Sequence, residues 1–415
     1  MYTTPKKKIK INLSDYNSQK EVQFRLFLSS LNEHEMKILR EIQLHSLKFP
    51  ISELLHGSIS SQTLEKFQAI GLLDVIGREV RVCKELRKYF EIDTMKFEED
   101  FELNIDYVQT LIHRLPQHIL PVWYPVPQSS NDIFAALFEK VFKTPKAYNE
   151  HLSDLSFEDI ILEEMIHSIH SHPDMEVRAE TLKRAFSLTD ESFHQYMLLL
   201  EFHFTAFLSY RFEEGKIVEI VSTLKEWKEW NGYLNSQKPK AVPCPDKVEP
   251  LYDAHFGALK EINALNPRFE TLLVELKLAK SVQGALSPTA CFEKWKSMTY
   301  EEQAVVIYRH ISNHGSDNVM RQVEKSLKRI LYTGWILVED FLKVPHNTIG
   351  HTEGVRLKKL GGSWSYKIPE YLPEDKNLIV SLIQGPLFLA GITALGTYEG
   401  KPCFILTPFG KANLG

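Results

Sequence analysis

Three times along the chain, apolar residues at helical spacing run into alternating apolar and polar residues bent at a charged turn. The first copy is Leu64-Glu-Lys-Phe-Gln-Ala-Ile-Gly71-Leu-Leu-Asp-Val-Ile-Gly-Arg-Glu-Val-Arg-Val82. A second runs from Pro386 through Gly391 to Leu406, and a looser one from Phe193 to Val221 with its turn at Glu213-Glu-Gly215-Lys216. In the first two a glycine follows the helix, at the C′ position where φ > 0 is needed. The alternation that follows predicts a hairpin, with Leu73 and Val75 against Val80 and Val82.

Helix signals precede each copy. Asn32 and Glu35 form a capping box with Leu31 as staple, opening a helix that carries Met36, Leu39 and Ile42. A short helix near Ile51–Leu55 and a third capped by Ser60 or Ser61 follow, with a closing helix from Leu86 to Phe90. In the second copy Leu162, Met165, Ile166 and Ile169 form one stripe, then come Met175–Phe186, Thr189 as an N-cap, and Thr223–Trp230 as the closing segment. In the third, Asp317–Tyr332 predicts a long helix stopped by Gly334, and Thr407-Pro408 starts the last one. Helices followed by a two-stranded ribbon make the fold class mainly α with short β-hairpins (α+β), as tandem winged-helix domains. The expected organisation is a basic tail (1–19), a winged helix (20–110), a Pro-rich extended connection (111–150), a second winged helix (151–236) and a Pro-rich linker (237–250). A helical connector (251–298), with helices over 251–265 and 268–282, then leads to a C-terminal winged helix (299–415). The loop 345–362, rich in Gly, His and Lys, is inserted in that last unit.

Composition adds boundaries. The chain has 415 residues, 43% apolar, enough to fill two or three cores, and a net charge of −5, so phosphate binding would need local patches. The four cysteines form no CxxC pair, which predicts neither zinc knuckle nor disulfide framework and fits a reducing, cytoplasmic setting. Lys6-Lys7-Lys8 has no apolar segment behind it and reads as a solvated tail rather than a signal peptide. No segment reaches the ~20 apolar residues of a membrane span.

Chemistry-bearing motifs are sparse. Glu164/His167 and Glu191/His194 have the Glu-x-x-His spacing of di-metal helix bundles. At ~100° per residue, though, they lie off the apolar stripes and are expected to face water. His167, His170 and His172 cluster at a helix C-terminus, where the dipole alone favours histidine. Gly410-Lys411 lacks the rest of a phosphate loop. The expectation is a protein that is no enzyme and carries no metal or cofactor. In the first unit, Ser61, Gln62 and Lys66 on the third helix, Arg78 and Arg81 in the wing, and Lys84, Arg87 and Lys88 after it form a candidate phosphate-facing patch. Asp190, Glu191 and Glu201 give the second unit the look of a protein-contact surface. The C-terminal unit adds Lys325, Lys328 and Arg329, with Arg356, Lys358 and Lys359 in its loop.

The first unit and the C-terminus resemble bacterial helicase-associated proteins similar to the N-terminal region of XPB-type DNA helicases. The residues that carry the resemblance are Leu64-x-x-Phe-x-x-Ile-Gly-Leu-Leu73 with Leu86-Arg87, Trp295-x-x-Met-x-x-x-Glu-Gln303, Gly334-Trp335 and Leu406-Thr-Pro-Phe-Gly-Lys411. The resemblance implies tandem winged helices in an accessory role near a helicase or transcription machinery, without the motor. Two partners stay open: DNA, or a protein partner that uses the winged helices as docking surfaces.

Overall fold

The computed structural model describes residues 9–57, 59–124, 132–249, 268–314, 317–343, 354–368 and 372–415. The chain is a mixed α+β protein whose helices surround small antiparallel sheets. It divides into two compact bodies, Met1–Trp230 with Leu357–Tyr366, and Asn231–Arg356 with Lys367–Gly415. The basic run Lys6–Lys8, Pro125 and Pro127, the helix expected over 251–265 and the first half of the loop 345–362 lie outside the described residues.

In the first body, α1 (Ser18–Ser29) precedes α2 (Glu33–Leu44), which opens on the expected capping box: Asn32 Oδ1 accepts from Glu35 N at 2.9 Å and Glu35 Oε2 from Asn32 N at 3.0 Å. Strand β1 (Lys48–Pro50), a 3-10 turn and α3 (Ser61–Ala69) follow, then β2 (Leu73–Ile76), β3 (Glu79–Val82) and α4 (Lys84–Thr94). The sheet order is β1-β3-β2, with Leu73 opposite Val82 and Val75 opposite Val80, the register that the alternation predicts. A one-residue slip would turn buried Val80 outward, so burial fixes this register.

Where the prolines suggest an extended connection over 111–150, the described residues of that stretch are instead largely helical and deeply packed. Helices α5 (Ile105–Arg114), α6 (Leu120–Trp123), α7 (Ile133–Leu137) and α8 (Pro145–Asp154) occupy it, with one π-turn at Phe138–Phe142. Pro121 and Pro145 stand in the first turns of α6 and α8, where a missing N–H costs nothing. Trp123, Tyr124, Phe142 and Tyr148 are fully buried, and the Tyr124 and Tyr148 hydroxyls donate to the Phe202 and Phe204 carbonyls at 2.8 and 2.7 Å. These aromatic side chains, rather than the backbone pattern, decide the fate of the segment.

The second half of this body repeats the first: α9 (Ile160–Ser171), β4 (Glu176–Arg178), α10 (Ala179–Ala185), α11 (Asp190–Phe202), β5 (Phe207–Glu213) and β6 (Lys216–Ser222), in sheet order β4-β6-β5. One continuous apolar core runs from Phe24 to Val221 through both repeats, so no boundary separates them. A charged seam crosses it. Arg25 on α1 donates twice to Glu201 on α11, at 2.6 and 3.1 Å, and Glu201 also accepts from Leu208 N at 3.1 Å. Nearby, Asp93 takes Arg114 at 2.9 Å and Lys96 at 3.2 Å. Burial alone would raise the Glu201 pKa, but the Arg25 and Lys96 charges outweigh it and hold the carboxyl below its ordinary range.

Helix α12 (Lys225–Ser236) leads out of the first body. The second contains β7 (Lys247–Val248), α13 (Arg268–Glu275), β8 (Ala279–Val282), β9 (Ala285–Pro288), α14 (Ala290–Lys296), α15 (Tyr300–His314), α16 (Asp317–Leu327), β10 (Ile336–Leu337) and α17 (Val338–Phe341). The helix expected over 268–282 stops at Glu275, because Gln283 and Gly284 (φ +52° and +83°) turn β8 into β9 and Leu278 and Ala279 join the core. After the β11 (Arg356–Leu360) and β12 (Ser363–Lys367) hairpin come α18 (Pro373–Gln384), α19 (Pro386–Leu389), β13 (Thr393–Tyr398), β14 (Lys401–Leu406) and α20 (Pro408–Leu414). Their sheet runs β10-β14-β13-β7. Among the described residues no helix is long and apolar enough to cross a membrane.

Candidate nucleic-acid interface

Helix α3 owes its orientation to Thr63 and Phe67, which are buried, and to the Ser60 side chain that caps it by accepting from Thr63 N at 3.1 Å. Its opposite face presents Ser61, Gln62, Glu65, Gln68 and Ala69 to solvent. Beside it, the β2–β3 hairpin turns at Gly77 (φ +64°), leaving Arg78 exposed at the tip and Ile76 more than half exposed.

The candidate cations divide sharply. Lys66 is bound to Glu35 at 2.9 Å and so serves the α2 capping box. Arg81 pairs with Glu79 at 2.8 Å on its own strand. Arg87 donates to the His45 carbonyl at 2.6 Å and to Glu91 at 3.0 Å. Arg78, Lys84 and Lys88 have no ion-pair partner among the described residues, and Lys84 and Lys88 share one exposed face of α4. From Ser61 to Glu91 the six cations Lys66, Arg78, Arg81, Lys84, Arg87 and Lys88 meet five acids, Glu65, Asp74, Glu79, Glu85 and Glu91. The surface is therefore nearly neutral, and any phosphate attraction comes from the three unpaired cations.

Lys359 does not belong to this group. Its ammonium is held by Asp106 at 2.8 Å on the first turn of α5, where Trp364 Nε1 also donates to the carboxylate at 2.9 Å. Partial burial works against ionisation of Asp106, but these two hydrogen bonds prevail and lower its pKa. Arg356 and Lys358 are exposed on the same strand. No hydrogen bond or ion pair among the described residues joins this strand to the β2–β3 hairpin or α4. Lys325, Lys328 and Arg329 are exposed near the end of α16.

The counterpart of α3 in the second repeat is partly covered. α11 packs against α1 and against its own sheet and buries Glu201, but Asp190 and Glu191, the other acids expected to meet a partner, stay exposed in its first turn. His194, expected to face water, is 1% exposed and contacts Glu219 at 3.1 Å. α1, packed along α11, takes up the side on which His194 lies. Burial would raise the Glu219 pKa, but hydrogen bonds from His194 and Ser29 and the Lys183 charge hold it at about 2. Glu164, His167 and Glu191 are exposed, and among the described residues no cluster of His, Cys, Asp and Glu is arranged to hold a metal ion. The contributors missed in sequence are Glu65, Gln68 and Ala69; the helical spacing from Ser61 and Gln62 would have found them.

No family model matches the chain, and no curated protein matches it.

Proposed function

We propose that the chain is a non-enzymatic nucleic-acid-binding accessory protein built from tandem winged helices, whose first winged helix makes the contact. The observation that carries this reading is the open polar face of α3, with Ser61, Gln62, Glu65, Gln68 and Ala69 all exposed, in a unit whose Arg78, Lys84 and Lys88 have no ion-pair partner among the described residues; α11, its counterpart, has only acids, Asp190 and Glu191, exposed in its first turn. The order helix, strand, short helix, third helix, hairpin, with the first strand beside the last, supports the winged-helix assignment. A third helix of this kind enters the major groove while neighbouring groups hold the backbone. The resemblance to helicase-associated proteins supports a role beside a helicase or the transcription machinery.

The test is binding of the whole chain to duplex and single-stranded DNA across a salt series. Three phosphate contacts from Arg78, Lys84 and Lys88 give a slope of about −3 in log K against log[salt], and charge reversal of all three removes it. Arg81 is a poorer target than Arg78, because Glu79 already neutralises it. Absence of binding at ~50–100 mM salt, where such contacts act, would favour the second reading. In that reading the winged helices dock a protein partner, which the near-neutral hairpin surface and the fully displayed Leu44 and Tyr332, 88% and 91% exposed, support.

A further inference from the structure

Base readout depends on which side chains a recognition helix can offer, and α3 offers an unusual set. At ~100° per residue, Ser61, Gln62, Glu65, Gln68 and Ala69 fall within about a third of the helix circumference, opposite buried Thr63 and Phe67. The side chains of Gln62, Glu65 and Gln68 make no hydrogen bond or ion pair among the described residues. The helix's sole cation, Lys66, is turned aside onto Glu35 and the Ser30 carbonyl. Guanine is read in the major groove chiefly by a bidentate Arg or Lys, whereas a glutamine side-chain amide matches N6 and N7 of adenine and a glutamate accepts from N4 of cytosine. This face therefore has adenine and cytosine chemistry and, apart from the unselective Ser61 hydroxyl, no group that reads guanine. Ala69 adds a methyl suited to thymine.

Resting on the nucleic-acid reading above, we propose that Gln62 and Gln68 select duplexes with adenine at two major-groove positions and reject guanine there, with Glu65 facing the base pairs between. Six residues of helix separate the two amides by about 9 Å, or roughly two to three base pairs at 3.4 Å each. Glu65 repels phosphate, which favours seating of the helix in the groove over lying along the backbone.

The experiment selects random-sequence duplexes on the whole chain at ~50 mM salt, then measures binding of the selected duplex and its single-base variants. The expected selection holds two adenines two or three base pairs apart. Gln62→Ala and Gln68→Ala each abolish preference at one position, a loss of about 5- to 150-fold in discrimination, with the salt slope unchanged because no charge is removed. Unchanged thermal melting of the exposed-site variants confirms their fold. Guanine at those positions, variants that discriminate as the parent does, or DNA binding without base preference overturns the proposal while the general reading stands. A parent that binds no DNA overturns both.

Discussion

The Arg25–Glu201 pair gives the sharpest test of what joins the two repeats of the first body. Both side chains are almost wholly buried, so removing one charge leaves the other without compensation. Glu201→Gln is the cleanest change, since a side-chain amide keeps an acceptor for Leu208 N while deleting the carboxylate. Breaking a buried pair costs about 3–5 kcal/mol. Glu21, 3.4 Å from Arg25, remains as partial compensation and points to the lower end, about 3 kcal/mol. For a body of this size that is a fall in melting temperature of roughly 6–12 °C. Arg25→Met strands Glu201 in the same way. The double variant Arg25→Met/Glu201→Gln carries no stranded charge and should recover to within ~1 kcal/mol of the parent. Urea titration of the four proteins measures the coupling directly. Additive single and double effects, with coupling below ~0.5 kcal/mol, would refute the idea that mutual neutralisation holds this seam.

Other outcomes follow from single sites. Glu226 is buried, one oxygen accepting from Ile105 N at 3.0 Å and the other without a partner among the described residues, and burial raises its pKa to about 7. A raised folded-state value means its contribution is complete below pH ~4.5 and lost as pH rises through 7, by roughly 3 kcal/mol. Glu226→Gln should flatten that stretch of the stability–pH curve and leave the protein more stable than the parent at pH 8; an unchanged curve would show that Glu226 does not titrate there. A Cβ on Gly410 would lie 2.2 Å from the Ile392 carbonyl oxygen, so Gly410→Ala should destabilise the second body by about 1–3 kcal/mol. Gly232→Ala, which meets nothing within 4 Å on a helix, should be neutral or slightly stabilising in the same thermal melt.

Local rules carried far where one segment decides its own structure. The Asn32 capping box, the Leu73–Val82 register and the Thr407-Pro408 start rest on neighbours within a few residues, and each is found as the pattern predicts. Local rules failed where distant partners decide. Pro121 looks like a spacer residue until Phe202 and Phe204 provide rings for Trp123 and Tyr124. His194 lies off the apolar stripe of α11, yet α1 covers it from a distant part of the chain. The candidate cations were legible as residues but not as charges. Whether Lys66, Arg81 or Lys359 meets Glu35, Glu79 or Asp106 depends on pairings that spacing alone does not reveal.

The hairpin Leu357–Tyr366 belongs to the first body although the residues on both sides belong to the second. Its Leu357 N–H donates to the Lys143 carbonyl at 2.8 Å, and its Tyr366 ring stands 5.8 Å from that of Trp230. The first body is therefore complete only after the chain has left it at Trp230 and come back at Leu357. During synthesis at ~5–20 residues per second, the nearly finished body waits on the order of ten seconds on the ribosome for its last two strands. Over that interval the Asp106 carboxylate lacks Lys359 and Trp364, a window in which a chaperone or a second nascent copy competes for the same surface.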